Sequence, residues 1–335
     1  MLSNQTLLVK SILIDAIKVG AADLHFSVGK KPAYKINNQW ITMDDREMVD
    51  ESFIQDLTKT ILDEAGQAKL EKEKEIFFSY DFDKDLRFKI NIFYQKRFLS
   101  VTLRHIPAKI PTIDSLGLNP VVKKLVDFKK GLVLIAGAFG SGKSSTAAAM
   151  IEEINQRKKQ YIITIEQPIE YIFANNESIV EQREVGIDTA SFEDALKYFQ
   201  EEAGDVLFLE NVSDIKFWPI ILEIASGSSL VITTCNADTV TGAISTIING
   251  FTSFDQERIR DMMSIALKAV VCQKILPKVG GGSVAAQEIL IVNDAAKSLI
   301  AKGSINQIDN IIQVSRKDGM VTFDQALVDL AKNKK

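Results

Sequence analysis

The sequence has 335 residues, 46% of them hydrophobic and 25% charged, and at about 150 residues per domain that length favours two domains. A composition at the globular average excludes disordered and fibrous architectures, and a net charge of −4 gives no broad basic field for nucleic acid. With two cysteines in the whole chain a disulfide framework and a cysteine zinc site are excluded, and with His25 and His105 the only histidines a zinc hydrolase is not expected.

Residues 7 to 17 place Leu8, Ile12, Leu13, Ala16 and Ile17 at helical spacing, and the next segment alternates Leu24, Phe26 and Val28 against His25 and Ser27. A helix and then a half-buried strand are expected. Lys-Lys-Pro and Asn37-Asn38 mark turns around a second strand near Ala33 to Ile36, and residues 51 to 74 suit one or two charged amphipathic helices. A hairpin follows, with Phe88, Ile90 and Ile92 on one face of its first strand and Arg87, Lys89 and Asn91 on the other. Its second strand sets Val101 and Leu103 against Thr102 and Arg104, and Gln95-Lys96-Arg97 stands near the turn. Residues 1–108 are therefore expected to form a small α+β domain with a basic sheet face.

The stretch PAKIPTIDSLGLNP, with three prolines and two turn-prone clusters, reads as a linker ending near Pro120. The domain plan is 1–108, a linker over 109–122, and 123–335. In the last part, short apolar runs at Leu132 to Ala136, Tyr161 to Ile165, Val206 to Leu209 and Leu230 to Thr233 alternate with helical patterns. That alternation is the mark of a parallel sheet covered on both faces. No run approaches the ~20 apolar residues that span a bilayer, and the start MLSNQTLLVK lacks the head and core of a signal peptide, so a cytoplasmic protein is expected. Cys235 and Cys272 are expected to be small buried residues, and the terminal NKK a frayed end.

The segment Gly137-Ala138-Phe139-Gly140-Ser141-Gly142-Lys143-Ser144 matches GxxxxGK[ST], follows a buried-strand run and opens a helix expected over Ser145 to Asn155. Glycines at 137, 140 and 142 let backbone N–H groups around Ser141 turn toward phosphate oxygens, and the helix start at Ser145 adds its positive dipole end. Lys143 supplies a charge to the β and γ phosphates, and the Ser144 hydroxyl is the expected magnesium ligand. ATP with Mg2+ is the expected ligand. Carboxylates to hold the metal shell and activate water are sought at neighbouring strand ends. Glu166 and Glu170 at the end of the second strand, and Asp205 and Glu210 around the third, are the candidates. Glu166 is the first choice for catalysis, Glu210 the second, and Asp205 a candidate for indirect contact with the metal.

These residues resemble the type IV pilus retraction ATPases, within the secretion and traffic motors of type II and type IV systems. The resemblance runs from about Gly20 to Gln325. It rests on Asp23-Leu24-His25-Phe26-Ser27-Val28-Gly29, the hairpin beginning Arg87-Phe88-Lys89-Ile90-Asn91, the block Gly131 to Ser144, and Thr164-Ile165-Glu166 with Pro168-Ile169-Glu170. Gln182-Arg183-Glu184-Val185, Ala269-Val270-Val271 through Gln273, and Val279-Gly280-Gly281-Gly282 extend it. It implies a PAS-like N-terminal domain followed by a RecA-like domain, assembled as a hexameric ring of this chain or of this chain with an active paralogue. It further implies ATP sites shared between neighbours, with Arg87, Arg97 and Arg104 reaching toward the triphosphate. A pilus platform protein of the inner membrane is the implied partner, and the inner face of the cytoplasmic membrane the implied location.

The departures from the family pattern gather where the chemistry should be. Gln167 stands for an aspartate, Glu210-Asn211 for Gly-Glu, Ser229 and Asn236 for two histidines, and Glu201 and Ser213 for two arginines. In Ala295-Ala296-Lys297-Ser298-Leu299-Ile300, residues 296 to 298 replace the isoleucine, arginine and asparagine of a motif used for retraction. The resemblance and these departures leave two readings: a retraction motor with weakened hydrolysis, in which Glu166 or Glu210 compensates for Asn211, and an ATP-binding regulatory or structural paralogue that hydrolyses little or nothing. A third, a small-molecule kinase, rests on the phosphate loop alone and is disfavoured by the match to the N-terminal domain.

Overall fold

The computed structural model describes residues 4–36, 39–84, 86–278 and 281–332. The expected turn at Asn37-Asn38, Val279-Gly280 and the tail Asn333-Lys334-Lys335 lie outside the described residues. The chain divides into two compact units, Met1–Lys109 with Pro168–Tyr171, and Ile110–Gln167 with Ile172–Lys335.

The first unit runs α1 (Asn4–Lys18), β1 (Asp23–Ser27), β2 (Ala33–Ile36), β3 (Gln39–Thr42), α2 (Glu51–Ile61), α3 (Glu64–Glu73), β4 (Glu75–Asp83), β5 (Leu86–Gln95) and β6 (Phe98–Ile106). Among the described residues its strands form one antiparallel sheet in the order β3-β2-β1-β6-β5-β4. Strand alternation sends Leu24, Phe26, Phe88, Ile90, Ile92, Val101 and Leu103 into one core with Ile12 and Leu13 of α1 and Ile54 and Leu57 of α2. Each such fully buried side chain contributes roughly 1.5–3 kcal/mol, so this single face holds the unit together. On the opposite face Asp23 pairs across strands with Lys35 and Arg104, and Arg104 with Lys89. That is the polar, largely basic face expected from the hairpin.

Residues 51–74 form two helices because Asp50 and Asp63 each cap one, accepting from the N–H groups of Phe53 and Gly66. Lys74, at φ 65°, ends α3 in the left-handed region and turns the chain into β4. In this unit β3 and β4 are the strands that the sequence analysis leaves undetected; in the second unit the strands Ile179–Glu184, Leu267–Pro277 and Ser283–Ile291 are. β3 is exposed along its whole length, and β4 buries only Phe82 fully, so neither carries a clean apolar alternation. Lys96 and Arg97, both at positive φ, form the two-residue turn between β5 and β6.

The second unit begins with an irregular stretch anchored by the buried side chains of Ile113 and Leu118. It continues through α4 (Val121–Leu125), β7 (Gly131–Ala136), α5 (Lys143–Arg157), β8 (Tyr161–Glu166), β9 (Ile179–Glu184), α6 (Phe192–Glu202), β10 (Val206–Leu209), α7 (Trp218–Ser226) and β11 (Leu230–Cys235). Next come α8 (Val240–Asn249), α9 (Ser253–Ala266), β12 (Leu267–Pro277), β13 (Ser283–Ile291), α10 (Asp294–Ala301), α11 (Ile308–Val314) and α12 (Phe323–Lys332). The strands lie in the order β13-β12-β7-β11-β10-β8-β9, all neighbours parallel except the antiparallel β12–β13 pair. The four apolar runs are β7, β8, β10 and β11, buried on both faces as their unbroken hydrophobicity requires. The chain thus adopts the expected α/β architecture, an antiparallel α+β unit followed by a mostly parallel sheet.

One sheet face, carrying Leu134, Ile165, Leu209 and Val231, packs on Trp218 and Leu222 of α7, Ile244 of α8 and Met263 of α9. The helix α5 contacts β7 and β11. In α10, Ala296 and Ile300 are buried and Leu299 packs against the same core, while Ala295 and Ser298 are exposed. Cys235 and Cys272 are buried free thiols, and burial pushes both up to about 12, which leaves them inert. Among the described residues no helix is long and apolar enough to cross a membrane.

Candidate functional site: the phosphate loop and its carboxylates

The loop leaves β7 after Ala136, and α5 begins at Lys143, two residues earlier than periodicity suggests. Its close turn depends on glycine at two positions. A Cβ on Gly137 would lie 2.3 Å from Ser141 Oγ and 2.6 Å from the Gln273 carbonyl oxygen, and one on Gly142, at φ 83°, would lie 2.8 Å from Gln273 Nε2. Around Gly140 a Cβ would meet nothing within 4 Å, so the loop has an open side there. The first helical bond of α5 runs from Thr146 N–H to the Gly142 carbonyl, at 3.0 Å. Such a cradle, closed behind and open in front, with a helix start at its end, fits a phosphate group.

Lys143 Nζ donates to the carbonyls of Gly137 and Ala138 at 2.8 and 2.9 Å. Burial holds its pKa below the ordinary lysine value, against the opposing pull of nearby groups that include Glu210. Ser144 Oγ donates to Glu210 Oε1 at 2.6 Å. No bulge is needed for this contact: β10 pairs with β8 and β11 without a register shift, so Glu210 continues the row of Phe208, opposite to Leu207 and Leu209. Asn211 breaks from the strand at φ 48°, ties its N–H to Thr234 Oγ1 at 2.8 Å, and is exposed.

Glu166 closes β8, only 4% exposed, and accepts from Thr164 Oγ1 at 2.7 Å and from Gln182 Nε2 of β9 at 3.1 Å. Ile165 is the register partner of Leu209, and Glu210 N–H donates to the Ile165 carbonyl at 3.3 Å. The two carboxylates therefore stand at the ends of adjacent strands, Glu210 on the loop serine and Glu166 one strand further out. Among the described residues no group of three or more His, Cys, Asp and Glu side chains could hold a metal by itself. A metal here would depend on Ser144 and on the phosphates of a bound nucleotide, and a serine hydroxyl aimed at a carboxylate is the donor set that such an ion takes.

Asp205 requires a correction. It precedes β10, where Leu230 is level with both Val206 and Gly131, at the sheet edge opposite the loop. Its carboxylate accepts from Tyr161 N–H at 2.9 Å, a bond that starts β8 and leaves it no part in a metal shell. The three arginines belong to the first unit. Arg87 donates to the carbonyls of Ile169 and Glu170 at 2.9 and 3.0 Å and pairs with Asp81 at 2.6 Å. Arg104 pairs with Asp23 at 2.7 Å, and Arg97 is exposed at the hairpin tip. The structure gathers Gly137 to Ser145, Glu210 and Glu166 in one unit and leaves the arginines outside it.

Gln273 is the residue that motif reading passes over. Its side chain, 1% exposed, donates to the Ser141 carbonyl at 2.5 Å and accepts from Thr146 Oγ1 at 2.9 Å. The available signal was an amide ending the apolar run Ala269 to Cys272, since a buried polar group needs partners.

The type II/IV secretion system protein family model matches residues 3–306. The chain is 32% identical over 322 residues to the type IV pilus retraction ATPase PilT of Pseudomonas aeruginosa, covering 96% of this chain and 93% of PilT. It is 33% identical over 315 residues to the type IV pilus ATPase PilU of the same organism, covering 94% of this chain and 82% of PilU. A crystal structure of the pilus retraction motor PilT with bound ADP superposes with a TM-score of 0.86 at 37% identity, over 99% of this chain and 94% of that one. Matched at this length by sequence and by fold, the chain belongs to the type II/IV secretion system protein family, among its type IV pilus retraction ATPases.

Proposed function

We propose that this chain binds Mg-ATP at the phosphate loop and hydrolyses it as a subunit of a hexameric ring that serves type IV pilus retraction. The observation that carries the reading is the Ser144–Glu210 hydrogen bond beside the buried Glu166: the loop retains a hydroxyl, a lysine and two carboxylates in spite of Asn211. Magnesium, when bound, would supply positive charge against the phosphates. Ser144 would hold it and Glu210 would orient water beside it. Lys143, on breaking its bonds to Gly137 and Ala138, adds its charge to the phosphates. Glu166 is the candidate general base for the attacking water. Hydrolysis is weaker than in family members that have the full set of polar groups, because Gln167, Ser229, Asn236 and Glu201 remove several of them.

The ring is composed of this chain, or of this chain with an active paralogue, and Arg87, Arg97 and Arg104 of one subunit complete the site of its neighbour. It docks at the cytoplasmic face of the inner membrane on the pilus platform protein. Calorimetry and light scattering test the binding and assembly together. Mg-ATP binding that is lost in Lys143→Ala, with a ring-sized particle in the presence of ATP, is expected. Binding that persists in Lys143→Ala, or a strict monomer with and without an active paralogue, contradicts the reading.

Asn211, exposed and turned from the strand, favours a second reading, an ATP-binding regulatory subunit of a mixed ring. That reading expects no turnover by the pure chain and a changed rate when it is mixed with an active paralogue.

A further inference from the structure

Two glutamines on neighbouring strands link the phosphate loop to a distant point of the backbone. Gln287 of β13 is 3% exposed, and its Oε1 accepts from the N–H of Asn119 at 2.8 Å. Its Nε2 donates to Gln273 Oε1 at 3.1 Å, and Gln273 Nε2 donates to the Ser141 carbonyl at 2.5 Å. The pair is in register across the β12–β13 ladder, so the two side chains share a face. Thr146 of α5, fully buried, adds its hydroxyl to Gln273 Oε1 at 2.9 Å.

The backbone fixes the direction of this chain of bonds. Asn119 N–H can only donate, so Gln287 must turn its oxygen to it and its NH2 toward Gln273. Gln273 must then face Gln287 with its oxygen and Ser141 with its NH2, and the Ser141 carbonyl can only accept. One arrangement satisfies all the groups at once, from Asn119 at the start of α4 to Ser141 in the loop. Gln273 also fills the space that keeps positions 137 and 142 glycine, through its own carbonyl and its Nε2.

We propose that Gln273 is a positioning residue for the phosphate loop and that Gln273 and Gln287 form a relay setting the loop's geometry from the backbone at Asn119. The ligand-binding half of this inference rests on the phosphate-site reading above. The loop-ordering half concerns this chain's own bonds. A relay with a fixed direction fails when any member turns over, even when no volume is lost. That separates it from packing.

Amide hydrogen exchange on the nucleotide-free full chain, followed by ATP titration, tests the relay with two variants. Gln273→Met keeps the shape and removes the bonds. Gln287→Glu keeps the acceptor for Asn119 but, when ionised, turns an oxygen on Gln273 and flips its amide away from Ser141. Both are expected to speed exchange at residues 138–146 by about tenfold or more, as for loss of local ordering bonds, while the amides of β7 and β12 hold. ATP affinity falls in parallel by about tenfold in both variants. Gln287→Glu regains loop protection at acidic pH, where its protonated carboxyl donates to Gln273 again. Unchanged loop protection in both variants overturns the relay. So does a loss spread evenly over β7, β12 and α5, which would mean packing alone. If Gln273→Met does not fold, Gln287→Glu decides by itself. A wild-type chain that binds no ATP, yet whose loop protection depends on Gln273 and Gln287, sinks the phosphate-site reading and leaves the relay standing.

Discussion

Ser144 and Glu210, 66 positions apart in sequence, meet through a 2.6 Å hydrogen bond between the loop hydroxyl and a carboxylate oxygen. The contact follows from where the elements lie. The helix α5 rests on β7 and β11, which brings its first turn to the end of β10, and strand alternation leaves Glu210 on that side. The residue after it, where the family pattern has its glutamate, is then left without a position at the loop.

Asn211→Glu is therefore expected to restore little. The side chain is exposed, and its backbone is held at φ 48° by the N–H bond to Thr234. Turnover is expected to stay within about twofold of wild type, because a carboxylate at this exposed position adds no group at the reacting water. Steady-state ATPase rates check it, and a gain of tenfold or more would mean that position 211 can reach the reacting water.

Glu166→Gln keeps the shape of the side chain and its acceptor for Thr164, and removes the base. Turnover should fall by about 100- to 10,000-fold with ATP affinity held near wild type. Single-turnover measurements at saturating ATP read the two separately. A loss of affinity with unchanged turnover would assign Glu166 to binding rather than to proton transfer.

The chain's only two histidines set part of its pH dependence. Burial, with Lys30 adding its charge at His25, holds both below the usual 6.5. The unfolded chain then binds more protons than the folded one just under that value, so their stabilisation is complete above pH 6.5 and is lost as pH falls from 6.5 through the folded values. Urea midpoints measured at about pH 7.5 and about pH 5.5 should differ in the wild type by more than in His25→Gln with His105→Gln, which removes both titrations. An equal difference in the two proteins would mean that other groups set the slope.

Much of the second unit was legible because its signals are local. Four unbroken apolar runs became β7, β8, β10 and β11, and the loop motif fell between a strand and a helix. The exposed β3 and the thinly buried β4 were not legible, since a strand without a buried face has no period to read. Glu166 and Glu210 could be chosen as carboxylates following their apolar runs, while Asp205 precedes its strand and, in a parallel sheet, lies at the end away from the loop, as the assembled sheet places it. Gln273 and Gln287 acquire their importance from a pairing across the β12–β13 ladder and from a backbone group at Asn119, 168 positions from Gln287.

The most direct test of Glu210's role is magnesium-dependent ATP turnover by the purified chain and by Glu210→Gln at saturating nucleotide. Measurable turnover in the wild type, reduced by about 100-fold or more in Glu210→Gln with ATP still bound, is the expected result. Turnover unaffected by Glu210→Gln, with the same dependence on magnesium concentration, would contradict it and leave the bond to Ser144 without a part in hydrolysis.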